Sequence, residues 1–283
     1  MNENLLESIP SQASNTSPTH ILLGGFSILS TTNETLRQRL ASTLQCGEQQ
    51  TLFFANTNFI VKCHALRHEM QVDNTLIVND GIGVDIANWI VHRKKFPENL
   101  NGTDFIPHYL HSVRQIARVY LLGGKPGIGV RAADTLTKDY GVTVVGTCNG
   151  YDQAQDSQKI IAAMNDAKAN IILVALGNPA QEQWILEHRH ALNACVLIGV
   201  GALLDFLAGD KPRAPRIIQR CRMEWLYRLC LEPQRLVRRY TLDIFIFLRL
   251  CLSTDKLLRT EKLISTDTLI STEKTPRNAA EPD

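Results

Sequence analysis

The sequence predicts an α/β protein: a Rossmann-like, doubly wound parallel sheet with a basic helical C-terminal appendage. Three observations predict it. Short, almost wholly apolar runs recur between residues 20 and 210, as strands do when helices cover both faces of a sheet. Stretches of helical length separate these runs, and alternating strand and helix gives parallel strands joined by right-handed crossovers. At Lys211 the composition then turns to arginine interleaved with Trp and Leu.

In chain order, residues 1–19 are polar and rich in Ser, Asn and Thr, a composition expected to stay disordered. Residues 20–210 form the expected core. Its strand runs are HILLGGFSIL, TLFFAN, TLIVNDG, ARVYLLGG, VTVVGT, NIILVALGN and CVLIGVG. Helices are expected over 127–140, 157–169 and 179–192, the last opened by Asn178 as N-cap with Pro179 at the first helical position. Residues 211–255 form the appendage. Between 211 and 240 stand nine positive residues, eight of them arginine, against Glu224 and Glu232. The run TLDIFIFLRLCL at 241–252 is apolar but is interrupted by Asp243 and Arg249. Residues 256–283 read as a flexible tail.

Composition bounds the function. The 283 residues carry 30 Lys+Arg and 28 Asp+Glu, are 44% apolar, and have a net charge of +2. These are globular values, and the near-neutral balance argues against a general nucleic-acid binder. Seven scattered cysteines without a C-x-x-C pair fit a reducing compartment better than a disulfide framework or a zinc site. The first twenty residues show neither a basic start nor an apolar centre, so they do not read as a secretory signal. The longest stretch free of Asp, Glu, Lys, Arg and His, 191–204, is too short to span a bilayer.

Parallel sheets bind ligands at the carboxyl ends of their strands, so polar residues just after apolar runs are the candidates. These are Asn56 and Asn58, the Asn79-Asp80-Gly81 turn, Gly123-Gly124, and Gly177-Asn178 with Gln181. Asp80, followed by Gly81 and Gly83, sits where a general base is needed; capping the next helix is an equal reading. Asp85 lies on that helix and reads as a solvated or supporting carboxylate. Gly127-x-Gly129-x-x-Ala132 loosely matches a dinucleotide fingerprint, but no acid ends the next strand to hold a ribose. A backbone contact to phosphate at a helix start and a plain tight turn both remain open. No D-x-D pair or H-E-x-x-H occurs, so no metal is expected. The arginine block suits anionic lipid or pyrophosphate, because the guanidinium fork matches phosphate oxygens.

Taken together, TLIVNDGIGVDIA, NLNGTDFIP, RVYLLGGKPGIG, ILVALGNPAQEQWI, LIGVGALLDFLAG and KPRAPRIIQRCRMEWLYRLCLEPQRLVRRY resemble successive blocks of the WecG/TagA/CpsF glycosyltransferases (glycosyltransferase family 26). The resemblance implies a Rossmann-like core and a C-terminal appendage that helps complete the active site. It also implies inverting, metal-independent and cofactor-free transfer from a UDP-sugar to a polyprenyl-diphosphate-linked sugar. That reaction would take place at the inner face of a bacterial plasma membrane, with the enzyme cytoplasmic and peripheral. The family's aspartate base falls on Asp80. Asn56 and Gln181 fall on substrate contacts, and the appendage arginines include Arg213, Arg216 and Arg220.

The chain departs from the family at Phe54, where many members have Thr, and at Asn99, where many have arginine. The pair of blocks at 79–85 and 99–104, with Asn99 and Asp104 as substrate contacts, resembles the exopolysaccharide branch, which adds glucose from UDP-glucose in β-1,4 linkage to a glucose-diphosphate-lipid. The expected partners are therefore a UDP-sugar, a lipid-diphosphate-linked sugar and an anionic membrane surface, with no nucleic acid; self-association is left open. Alternatives are an N-acetylmannosamine or N-acetylmannosaminuronic acid transferase, an NAD-dependent oxidoreductase, and a nucleotide-sugar sensor without turnover.

Overall fold

A computed structural model describes residues 19–72, 74–150, 156–215, 217–218 and 223–253. The expectations for the N-terminal segment 1–18, for the tail, and for Arg216 and Arg220 lie outside the described residues.

Eight strands form one sheet in the order β1-β2-β4-β3-β8-β7-β5-β6. Its first two members correct the expectation of a wholly parallel sheet. The run read as one strand is a hairpin: β1 (Thr19–Leu23) and β2 (Phe26–Ser30) pair antiparallel, with Leu23 opposite Phe26. The cause is Gly24-Gly25, both at positive φ (59° and 86°), the backbone a two-residue hairpin turn requires. The other strands are parallel: β3 (Gln50–Ala55), β4 (Thr75–Asn79), β5 (Arg118–Gly123), β6 (Thr143–Cys148), β7 (Ile171–Ala175) and β8 (Val196–Gly199).

Alternate residues of the strands feed two apolar layers. Phe53, Ile77, Leu122, Val174 and Leu197 face one; Leu52, Val78, Leu121, Leu173 and Ile198 face the other. The first layer is covered by α2 (Thr57–Lys62), α3 (Ile82–His92), α6 (Ser157–Asp166) and α7 (Ala180–His188). The second is covered by α1 (Asn33–Cys46), α4 (Gly102–Ser112), α5 (Ile128–Tyr140) and α8 (Leu203–Leu207). The result is the α/β/α sandwich of a Rossmann-like fold.

Helix α7 starts later than expected, with Pro179 rather than Asn178 in the cap position. The Asn178 side chain is committed elsewhere: its Nδ2 donates to Glu182 Oε1 at 2.6 Å.

Beyond β8 the chain continues into α9 (Glu224–Leu231), α10 (Pro233–Tyr240) and a last helix, α11, over 242–253. These helices fold back on the sheet domain. Phe247 and Cys251 are buried in the first apolar layer, and Cys251 packs against Gly24 of the hairpin turn. Among the described residues, no helix is long and apolar enough to cross a membrane.

Candidate active site

A cavity of about 350 Å³ opens at the carboxyl ends of β3 and β4 and is closed on its far side by α9 and α11. Its core side is formed by Asn56, Asp80, Gly81 and Asn99, and its appendage side by Glu224, Trp225, Arg228 and Ile244. Four residues singled out in the sequence therefore meet here.

Asp80 stands just before the start of α3, whose N-cap is Gly81, and its neighbours hold it there. The Asp80 amide donates to the Ala55 carbonyl at 2.9 Å, and Asn56 Nδ2 donates to Asp80 Oδ2 at 3.3 Å. Asn56 is fixed in turn because its Oδ1 accepts from the Phe59 amide at 3.0 Å as the N-cap of α2. On the other side the Gly81 amide donates to Asn99 Oδ1 at 2.7 Å. Below the turn, buried Asn79 donates to Asp85 Oδ1 at 3.1 Å and to the Glu98 carbonyl at 2.9 Å. Asp85 is thus a supporting carboxylate.

The first turn of α3 borders the cavity through Gly81, Ile82 and Gly83. A Cβ on Gly83 would stand 2.5 Å from Thr57 Cγ2, so glycine there lets α2 and α3 meet at the cavity floor. An uncapped helix start presents amide hydrogens and the positive end of the helix dipole to whatever occupies the space.

The appendage is tied to this rim by a charged bridge. Arg213 Nη1 donates to Asp104 Oδ1 at 2.6 Å, and Nη2 donates to Glu224 Oε1 at 3.2 Å. Asn101 Nδ2 adds a bond to Glu224 Oε2 at 3.3 Å. Partial burial works against the Arg213 charge, but the two carboxylates outweigh it and hold its pKa above the usual arginine value. Asp104 and Arg213 are therefore structural partners beside the cavity and do not line it.

Other expected site residues lie elsewhere. Asn58 donates to Asn178 Oδ1 at 3.1 Å. Gln181 is 3% exposed, donates to Glu182 Oε1 at 2.7 Å and accepts from the Gly201 amide at 3.0 Å. Half-buried Asn58 and buried Gln181 belong to one polar belt at the ends of β3, β7 and β8. Gly123 and Gly124 end β5, three places from β3 in the sheet. A Cβ on Gly123 would fall 2.4 Å from the Ala175 carbonyl oxygen, and one on Gly124 would fall 2.8 Å from Ile128. Close packing accounts for that glycine pair.

The departure at Phe54 also has a packing reason. Its ring points away from the cavity into the second apolar layer, against Phe105, and a Cβ on Gly102 would come within 3.1 Å of it.

Sequence reading missed Glu224, Trp225 and Arg228. Among the described residues, Arg228 is the one cation lining the cavity; its guanidinium lies over the Phe206 ring at 4.9 Å. The signal was present in EWLYRL, since 224, 225 and 228 share a helix face at i, i+1 and i+4.

The Glycosyl transferase WecG/TagA/CpsF family model matches residues 21–262. This chain belongs to that family. It is a glycosyltransferase, of a family that acts on polyprenyl-linked sugars with a sugar-nucleotide donor. The matched span takes in both the sheet domain and the helices that close the cavity.

Proposed function

We propose that the protein transfers a hexose from a UDP-sugar, UDP-glucose by best fit, onto a polyprenyl-diphosphate-linked sugar with inversion, without a metal. We assign it a β-1,4 linkage and a place in exopolysaccharide repeat-unit assembly. One observation supports this above all: Asp80, held by Asn56 and by the Asn99-bound turn, borders a cavity that Arg228 lines from the appendage side.

In this reading Asp80 takes the proton from the acceptor hydroxyl as that oxygen forms its bond to the anomeric carbon. The bond from that carbon to the UDP oxygen breaks on the opposite face, and UDP leaves with the electron pair. Negative charge grows on the diphosphate as it departs. Arg228 and the positive end of the α3 dipole are suited to meet it. Trp225, on the wall beside Arg228, offers a flat apolar surface to a sugar or a base. Gln181 and Asn58 act indirectly, by fixing loops at the strand ends. The enzyme works as a peripheral protein on the inner face of the plasma membrane.

The test is a panel of radiolabelled UDP-sugars against short-chain prenyl-diphosphate-linked glucose and N-acetylglucosamine, with the product linkage read by NMR. Transfer of glucose with inversion is expected. Transfer of N-acetylmannosamine or its uronic acid instead would overturn the donor assignment. UDP binding with no transfer from any donor would overturn the reaction.

A further inference from the structure

We infer that the outward faces of α3 and α11 rest on an anionic bilayer, so that the cavity opens at the membrane surface. The inference rests on reading the acceptor as lipid-linked, and it adds a part of the sheet domain itself, α3, to the membrane contact.

The residues of α3 divide cleanly. Val84, Ala87, Asn88 and Val91 are buried against the sheet. Ile82, Ile86, Trp89, Ile90 and Arg93 fall at i, i+4, i+7, i+8 and i+11, along one other face. Ile86, Trp89 and Ile90 are 49%, 50% and 39% exposed, an apolar stripe lying in solvent. Ile82 and Ile86 also border the cavity, so the stripe leads out of the candidate active site. It ends in exposed Arg93, Lys94 and Lys95, and the Arg93 guanidinium lies over the Trp89 ring at 4.7 Å.

Helix α11 repeats the pattern. Phe247 and Cys251 anchor it in the core, while Leu242, Phe245 and Ile246 are exposed, Phe245 by 73%. Arg249 follows on the same face, and Ile244 borders the cavity. Both helices end at the β1–β2 hairpin: His92 Nε2 donates to the Leu22 carbonyl at 2.8 Å, and Cys251 packs on Gly24. Two apolar stripes therefore run from the same cavity to the same hairpin, and each carries arginine on its outward face.

Charge decides the occupant. Arg93, Lys94, Lys95 and Arg249 are all positive, and the α3 stripe and its end contain no acid. Of the neighbouring carboxylates, Asp85 accepts a bond from buried Asn79, Glu98 accepts from Asn33, and Asp243 of α11 is half-buried. A second copy meeting this face about a two-fold axis would bring like charges together. Anionic headgroups match it, with Trp and Ile entering the interface and Lys and Arg reaching phosphate.

The test uses the full chain and co-sedimentation with phosphatidylcholine vesicles, either plain or with about a third of phosphatidylglycerol. Two variants avoid the cavity lining: Trp89→Glu with Ile90→Glu, and Lys94→Ala with Lys95→Ala. The parent is expected to bind the anionic vesicles and not the neutral ones. The first pair should lower partitioning by about tenfold or more, and the second by about fivefold for each lysine. UDP binding and circular dichroism should stay at parent values in both. Unchanged vesicle binding in both variants would overturn the inference. So would conversion of a dimer to a monomer by the first pair with vesicle binding intact. If vesicle binding behaves as expected but no sugar is transferred, the docking surface stands and the proposed reaction falls.

Discussion

The Gly81 amide donates to Asn99 Oδ1 at 2.7 Å while Gly81 itself stands at φ 85°, ψ 160°. That backbone region is almost closed to residues with a side chain. One residue earlier, the Asp80 amide is bound to the Ala55 carbonyl. The candidate base therefore sits between two fixed hydrogen bonds, one from β3 and one from the loop before α4. A Cβ on Gly81 would meet nothing within 4 Å, so Gly81→Ala isolates the backbone cost. It should lower stability by about 1–3 kcal/mol in urea unfolding and reduce turnover with it. Asn99→Ala removes one hydrogen bond, worth about 1 kcal/mol, and should lower kcat more than it raises KM. Parent-like stability in Gly81→Ala would mean the turn is not held as described.

Asp80→Asn keeps the shape of the side chain and removes its ability to take a proton. With Asp80 as the base, transfer should fall by about 10²–10⁴-fold, while UDP-sugar binding measured by calorimetry stays near the parent value. Turnover close to the parent would take Asp80 out of the reaction. Asn56→Ala leaves the carboxylate in place but removes a hydrogen bond that orients it. It should fall between the parent and Asp80→Asn.

The sheet and the site differ in how far the sequence reveals them. Strands β3, β4, β7 and β8 are legible because each is an apolar run covered on both faces, and Asp80 is legible as a carboxylate at such a run's end. The hairpin was hidden because its two halves read as one run, although Gly24-Gly25 marks the turn. Gln181 and Asn58 are polar residues after strands, as Asp80 is. Their side chains are spent on each other's neighbours in a polar belt, which spacing along the chain does not reveal. Arg228 was lost among nine cations that local charge cannot rank. Among the described residues, the fold of α9 against the sheet domain separates Arg228, which lines the cavity, from Arg213, which bridges two carboxylates.

That bridge gives a prediction about the appendage. Arg213 connects Asp104 of α4 to Glu224 at the start of α9, and Trp225 and Arg228 follow Glu224 into the cavity wall. Arg213→Ala should release this wall, exposing the start of α9 around 223–226 to limited proteolysis and lowering transfer. A double-mutant cycle between Arg213→Ala and Glu224→Ala should give a coupling of about 1 kcal/mol, as for a partly exposed ion pair with good geometry. Additive effects would show that the two side chains do not hold the appendage together.

The polar belt around Glu182 makes stability depend on pH in a direction that can be worked out. Glu182 is 1% exposed. Its Oε1 accepts from both Asn178 and Gln181, and the Cys63 thiol interacts with the same carboxyl. Among the described residues its Oε2 has no hydrogen-bond partner. Burial raises the Glu182 pKa above the ordinary carboxylate value, and the amide bonds only partly offset this. The folded state then holds the proton at pH values where the unfolded chain has already released it. Stability is greatest below the ordinary carboxylate pKa and falls as pH rises from that value through the raised one. Glu182→Gln keeps an oxygen to accept from Asn178 and Gln181 and carries no charge at any pH. It should flatten this part of the pH profile, with stability at pH 8 equal to or above the parent, because a buried charge without full compensation is removed. Urea unfolding of both proteins from pH 4 to 8 measures the difference. An equal slope in the two would mean that Glu182 is not the group carrying this dependence.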